Sequence, residues 1–504
     1  MPRSRGAVTV QPVARPTSEV VMPQEDRTTA LPPVPPAGSR PDIAPPAGRV
    51  VAALAVAVLA YGLLQTLVAP ALPAFRDHFG VSGDWSAWVF TLYLLSGAVL
   101  TPVLARLGDR RGKRRVLLAT LAVFGAGTVL AALAWNFPVL LLARAVQGAG
   151  AAALPLSFAL VSALLPRQRI GQGLGIVSAM IGAGTALGFV IGGLLVDHAS
   201  WRWMFAVLAG VIAVAFVLVA RWIPDDASRR DEPQDVLGTL LLSLGLVALL
   251  LAITQGSHAG WLSAPVLGLF LAAAVFLAAL AVAEQRTQHP LLEPSVLLQR
   301  SMLLTHSAAA LFYAAALIFF LLVPTFAQLP AHGPEGAARG FGFSITAAGL
   351  LMLPSALLQI LVAPVVPRLE RAFGHRAPLL GGLVLVLAGS AALALWHATP
   401  AQILADSLLL GAGAAASFAA LPSLVARFAP HHAIATANGL NTVVRTVGGV
   451  IGTQVAIAIL SSHSVADTEV PGEGAFTVVF ALGAVFAAIG VAVVLFLPRS
   501  ATRS

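Results

Sequence analysis

Pro138-Val-Leu-Leu-Leu-Ala-Arg144-Ala-Val-Gln147-Gly148-Ala-Gly150-Ala-Ala-Ala153 is an almost unbroken apolar stretch that holds one arginine, and no further charge follows before Arg167. A helix of about 20 apolar residues crosses the hydrocarbon core of a bilayer, so this stretch reads as a membrane span. Pro400-Ala-Gln-Ile-Leu-Ala-Asp406-Ser-Leu-Leu-Leu-Gly411-Ala-Gly413-Ala-Ala-Ala416 repeats its pattern, with the same opening proline, one charge at the same offset and the same Gly-Ala-Gly-Ala-Ala-Ala core. At nearly the same separation, Arg106-Leu107-Gly108-Asp109-Arg110-Arg111-Gly112-Lys113-Arg114 recurs weakly as Arg368-Leu369-Glu370-Arg371-Ala372-Phe373-Gly374-His375-Arg376. Two elements in register at one offset point to an internal duplication. Two halves in parallel repeat, with substrate held at their interface, form a transporter plan.

Working outward, apolar runs occupy about 50–71, 85–104, 116–134, 138–164, 171–196, 203–222, 236–255, 264–283, 302–328, 345–366, 378–397, 401–427, 434–460 and 475–497. Lipid offers the backbone no hydrogen bonds, and runs this long favour helices over barrel strands. The expected fold is an all-α integral membrane protein of fourteen spans. Spans 1–6 (49–223) and 9–14 (301–498) form two six-helix halves, and a linker over 224–300 carries the two extra spans. Residues 1–48, rich in Pro, Ser, Thr and Arg, are expected to be a disordered tail with no signal-peptide core, and 499–504 a second tail.

Of the 504 residues, 58% are hydrophobic and only 10% charged, with a mean hydropathy of +0.88. Soluble domains are about a quarter charged, so a soluble enzyme is excluded. With no cysteine, disulfides, thiolate nucleophiles and Cys-held metals are excluded too. A net charge of +9 suggests nucleic acid until the charges are placed, for they fall between spans. One set of connections holds Arg106, Arg110, Arg111, Lys113, Arg114, Arg115, Arg167, Arg169, Arg221, Arg229, Arg230, Arg286, Arg300, Arg368, Arg371, Arg376 and Arg427; the other has only Arg76, Arg202 and Arg339 beside several acids, among them Glu335, Asp467 and Glu469. The positive-inside rule puts the first set, and both termini, in the cytoplasm of a cell with the chain in its inner membrane. The eight tryptophans fall at span ends or in loops, where an aromatic belt is expected.

Ala105-Arg-Leu107-Gly108-Asp109-Arg110-Arg-Gly112-Lys113-Arg114 resembles the signature loop of the major facilitator superfamily, with Ala105 in place of the leading glycine. In this reading Gly108 and Gly112 make a tight turn. Asp109 caps a helix N-terminus or pairs with an arginine across the halves, and Arg110 and Arg114 supply the cations; a plain basic anchor is the alternative. Arg144-Ala-Val-Gln147-Gly148 resembles the superfamily's intramembrane arginine motif. Gly184-x-x-x-Gly188-Phe189-x-x-Gly192-Gly193 resembles its antiporter motif, with Phe189 for proline. Trp201-Arg202-Trp203-Met204-Phe205 and fourteen spans together resemble the fourteen-span drug:proton antiporter branch. That branch usually has an acid in span 1 where this chain reads Leu64-Gln65-Thr66. Physically, Gly184, Gly188 and Gly192 with Gly193 allow close helix packing that either bends and slides or simply fills space.

Three ionised side chains remain within spans: Arg144, Asp406 and Arg445. Each costs about 2.5–3.5 kcal/mol at mid-membrane on insertion scales, which makes a partner or a cavity the expected setting. At about 1.5 Å per residue, Arg144, Asp406 and Gln65 sit at similar depth, about 9 Å in. The expectation is that Arg144 and Asp406 face each other across the central cavity and that Asp406 carries the proton; a static pair is the alternative. Arg445 binds an anionic substrate group or acts as a structural counter-ion. Tyr61, Gln65, Gln147 and Tyr313 are candidate cavity residues, and His306 is read as a solvated interfacial histidine. No HExxH, GxSxG or paired carboxylates support an intramembrane enzyme. The resemblance implies a proton-exchanging exporter of hydrophobic or amphipathic small molecules, or else a dedicated exporter of one metabolite. Its partners are substrate, protons and lipid, with no nucleic acid and no cofactor, and the chain acts as a monomer.

Overall fold

The computed structural model describes residues 46–68, 71–81, 83–225, 235–287, 298–332, 338–430, 434–463 and 471–498. Most of the expected N-terminal tail, with Arg229, Arg230, Glu335, Asp467, Glu469 and 499–504, lies outside them. In chain order the helices are α1 (Ala47–Leu67), α2 (Leu72–Phe79), α3 (Gly83–Arg111), α4 (Lys113–Ala132), α5 (Phe137–Gln147), α6 (Ala153–Leu164), α7 (Arg167–His198), α8 (Trp201–Trp222), α9 (Val236–Ala259) and α10 (Ala264–Arg286). They continue with α11 (Arg300–Gln328), α12 (Ile345–Val362), α13 (Val366–Phe373), α14 (Ala377–Leu395), α15 (Pro400–Phe428), α16 (Ile434–Ser462) and α17 (Glu473–Leu495). Fourteen helical stretches among the described residues are long and apolar enough to cross a membrane, and each coincides with one expected run. With α5–α6 and α12–α13 each forming one crossing, consecutive crossings run antiparallel; the connections rich in Arg and Lys gather at one face, called here the basic end.

The helix starts follow from short polar residues at the edges of the apolar runs. Asn136 accepts from the Val139 amide, Asp235 from Gly238 and Ser344 from Ala347. Thr399 and Gln402 form a reciprocal capping box that opens α15. In span 4 the helix tightens to a 3₁₀ turn over Gly148–Ala152. The turn packs closely: a Cβ on Gly148 would lie 2.6 Å from the Gly97 amide, and one on Gly150 would lie 2.9 Å from the Phe124 ring. The matching Gly-Ala-Gly core of α15 stays α-helical.

Two expectations about the ends need correction. The signature segment is not a loop: α3 continues through Gly108, Asp109 and Arg110 to Arg111, and the chain turns at Gly112 alone, where φ is +101°. Gly108 is a packing residue whose missing side chain admits Leu156. Most tryptophans that reach the surface fit a belt, with Trp85, Trp135, Trp203 and Trp396 exposed, but Trp201 is buried against Phe75, Phe79 and Phe205.

Between the first six spans and the last six, α7 packs on α12–α13 and on α15, and α16 packs on α3 and α6. Along α7 and α12–α13, glycines let backbone meet backbone. A Cβ on Gly193 would be 2.8 Å from the Thr346 amide, and one on Gly175 would be 2.7 Å from the Ala363 carbonyl. Along α3 and α16, Ala105 touches Gly439 near the basic end, while farther along the same two helices Phe90 and Leu94 face Val450 and Gln454 across open space. Of the inserted pair, α9 packs on α10 and also touches α3 and α16.

Candidate functional site between the two halves

Asp109 is the first element of the site to settle. Its Oδ2 accepts from the backbone amide and the hydroxyl of Thr436, both at 2.9 Å, in the first turn of α16. A carboxylate at a helix N-terminus meets both free N–H groups and the positive end of the helix dipole. The cap crosses between the halves as anticipated. The ion pair does not: its partner is Lys113, 3.7 Å away in the same segment. Arg114 faces α8, donating to Asp225 at 2.7 Å and to the Ala220 carbonyl at 2.8 Å. That hydrogen bond, with the charges of Arg114 and Arg115, holds the exposed Asp225 carboxyl below its ordinary range.

Beyond this contact a cavity opens between α1, α3 and α7 on one side and α11, α15 and α16 on the other. The chain has three tyrosines in all, and Tyr61, Tyr93 and Tyr313 every one line this cavity. Tyr313 donates to Gln65 Oε1 at 3.1 Å, tying α11 to α1 across the halves. The centre, among the three tyrosines, has a volume of about 50 Å³. An adjoining apolar chamber of about 330 Å³ shares Phe90, Leu94, Leu317, Leu321 and Val450 with it and is closed on its far side by Leu250 and Thr254 of α9.

The two buried arginines stand behind the tyrosines. Arg144 is fully buried; Nε donates to the Val89 carbonyl at 2.7 Å, Nη1 to Gln147 Oε1 at 2.8 Å, and the guanidinium lies 4.6 Å over the Tyr93 ring. Gln147 in turn donates to Thr128 at 3.1 Å. Gln147 is therefore a brace for Arg144 and lines neither cavity. Arg445 lies 5.1 Å from the rings of both Tyr313 and Phe418, its Nε is buried with no hydrogen-bond partner among the described residues, and, contrary to expectation, it lines neither cavity.

The expected meeting of Arg144 with Asp406 is not found. Among the described residues Arg144 takes its bonds from its own half. Asp406 lies on a turn of α15 packed against Gly389 of α14, lines neither cavity, and has a buried Oδ2 without a partner. Equal depth did not bring them together because the two side chains leave their helices in different directions. His306 is likewise not solvated: it is buried and paired through Nδ1 with Asn441 at 3.0 Å.

Gly184 and Gly188 sit against α1, where Cβ atoms would meet the Leu59 and Leu63 backbone. Of that motif Gly193 reaches the other half at Thr346 and Phe189 reaches it at Gly349, while Gly192 is buried. Sequence reasoning missed Tyr93, Phe418 and Thr446 in the lining. The scarcity of tyrosine was the available signal for Tyr93.

A sequence profile described as the Major Facilitator Superfamily matches residues 54–453 and, again, 307–504. The chain belongs to the major facilitator superfamily. Among similar members of known name, the multidrug resistance protein Stp of Mycobacterium tuberculosis (strain ATCC 25618 / H37Rv) is 30% identical over 406 residues, 80% of this chain and 74% of that one. The puromycin resistance protein pur8 of Streptomyces alboniger is 32% identical over 436 residues, 82% of each chain. In structure, this superfamily member superposes on the human organic anion transporter MFSD10 (TETRAN) with a TM-score of 0.63 at 18% identity, covering 89% of this chain and all of that one. That likeness speaks to the fold alone.

Proposed function

We propose that the chain is a secondary efflux transporter that exports hydrophobic or amphipathic small molecules in exchange for protons by alternating access. The observation that carries the reading is the cavity between the halves, sealed toward the basic end by Asp109–Thr436 and Ala105–Gly439 and widening away from it. With the basic end in the cytoplasm, as the positive-inside rule directs, this is the conformer closed to the cytoplasm. Names of the relatives above, which include multidrug and puromycin resistance, agree with export. Asp406 is the candidate proton carrier, because it is an intramembrane acid with a buried, unpartnered oxygen. Each proton moved inward gains about 2.3 kcal/mol per 100 mV. Gln65 favours a second reading, a dedicated exporter of one metabolite with altered or absent proton coupling, since an amide there carries no proton.

Everted vesicles test the proposal. A proton gradient should drive accumulation of at least one hydrophobic dye above chain-free vesicles, and Asp406→Asn should lower that accumulation at least tenfold. Undiminished accumulation in the variant removes Asp406 from the mechanism, and no accumulation of anionic, neutral or cationic dyes overturns efflux.

A further inference from the structure

Buried polar groups in folded proteins nearly always find hydrogen-bond partners, so one left without any calls for a reason. The seam between α7 and α12–α13 holds two. Gln359 of α12 is fully buried, and neither its Oε1 nor its Nε2 has a partner among the described residues. The same is true of the hydroxyl of Ser178, fully buried on α7. Gly193 meets Thr346, Gly182 meets Gln359, Gly175 meets Ala363 and Gly171 meets Pro367, so the helices run antiparallel and these glycines mark the touching face of α7. Ser178 stands three residues after Gly175 and four before Gly182, on that same face. It therefore looks across at α12–α13 between Gln359 and Ala363.

The Gln359 carboxamide lies one turn away from that hydroxyl, in the notch that Gly182 leaves by having no side chain: a Cβ on Gly182 would collide with Cδ, Oε1 and Nε2 of Gln359. Toward the basic end the backbones close up. A Cβ on Gly175 would lie 2.7 Å from the Ala363 carbonyl, which leaves an amide little room beside Ser178. A roll that opens the basic end parts α7 from α13 at Gly171 and Gly175, and so makes that room. We infer that Gln359 is a conformational latch of the transport cycle: unpaired in the Gly182 notch while the basic end is shut, it bonds to Ser178 once the basic end opens. Unmet hydrogen bonds raise the energy of the shut conformer and the Ser178 bond lowers that of the open one, so the amide draws the chain back toward its cytoplasm-facing state. The inference rests on the proposal that this structure is the cytoplasm-closed conformer of an alternating cycle.

The test reads the rate at which a single cysteine at Thr101, in the cavity wall, reacts with an impermeant thiol reagent supplied at the basic end of the full-length chain in everted vesicles, with no gradient applied. Gln359→Met keeps the length of the side chain and removes the amide, and should slow the reaction about tenfold. Ser178→Ala should slow it about threefold in the wild-type background and add nothing to Gln359→Met. Gly182→Ala, whose methyl takes up the notch, should speed it. If Gln359→Met fails to fold, Ser178→Ala and Gly182→Ala carry the test through their opposite signs. An unchanged or faster rate in Gln359→Met overturns the inference. So does a Ser178→Ala effect of equal size with and without Gln359, which is what separate buried waters serving the two groups would give. Because no gradient is applied, the two proposals fail separately: a chain that shows these shifts but accumulates no dye loses only the efflux reading, and one that accumulates dye with its labelling rates unmoved loses only the latch.

Discussion

The two seams between the halves are built differently. Along α7 and α12–α13, contact runs from Gly193 on Thr346 at one end to Gly171 on Pro367 at the other, with glycine at nearly every touching point. Along α3 and α16, the Asp109 cap and the small-residue touch of Ala105 on Gly439 lie at the basic end, and Phe90, Leu94 and Val450 line a cavity farther along. Where glycines bring two helices this close, with few side chains such as Gln359 and Phe189 between them, one helix can roll on the other with little unpacking. Where contact depends on one carboxylate and one small-residue touch, it can be made or lost as a unit. The first seam has the build of a hinge and the second of a gate.

The largest expected effect follows from breaking the gate. Asp109→Ala removes two hydrogen bonds to a charged acceptor, each worth about 1.5–3 kcal/mol. A single cysteine at Thr101, buried on the cavity side of the seam, should then react at least tenfold faster with an impermeant thiol reagent supplied at the basic end. An unchanged rate would mean that Asp109 does not hold the gate shut.

Glycine substitutions sharpen the contrast between packing within a half and packing between halves. A Cβ on Gly184 would lie 2.7 Å from the Leu59 carbonyl and the Leu63 amide, so Gly184→Val should overpack α1–α7 by about 1–3 kcal/mol and reduce the yield of folded protein. Gly175→Val makes an equally short contact, but with Ala363 across the hinge. It should leave the protein monodisperse while slowing transport. Identical behaviour of the two variants in size-exclusion and transport assays would erase the distinction.

The smallest effect lies outside both seams. Arg114 holds the Asp225 carboxyl below its ordinary range, so the α4–α8 tie contributes fully above about pH 4 and is lost as the pH falls through the lowered native value. The thermal midpoint difference between wild type and Arg114→Gln should be constant from pH 6 to 8 and shrink below about pH 4. A difference that grows on acidification would contradict the sign.

Much of this was legible in one dimension. Hydropathy fixed all fourteen spans, and the repeated Gly-Ala-Gly core and the Asp109 segment pointed to the superfamily and to a cap across the halves. Rotation about each helix axis was the missing coordinate. Arg144 and Asp406 share a depth yet serve different neighbours, His306 lies near a span end yet points inward to Asn441, and Gln147 braces Arg144 where an exposed lining residue was expected. Periodicity was of little help, because these helices are apolar nearly all round and present no polar stripe to orient them. Tyr93 escaped notice for the same reason.

The gate can be tested directly because the chain has no native cysteine. A Cβ on Gly439 would lie 3.0 Å from the Ala105 Cβ, close enough that Ala105→Cys and Gly439→Cys together can form a disulfide with small relaxation. Alternating access through this seam predicts that oxidation of the pair abolishes transport and that reduction restores it. Full transport by the crosslinked protein would contradict the account.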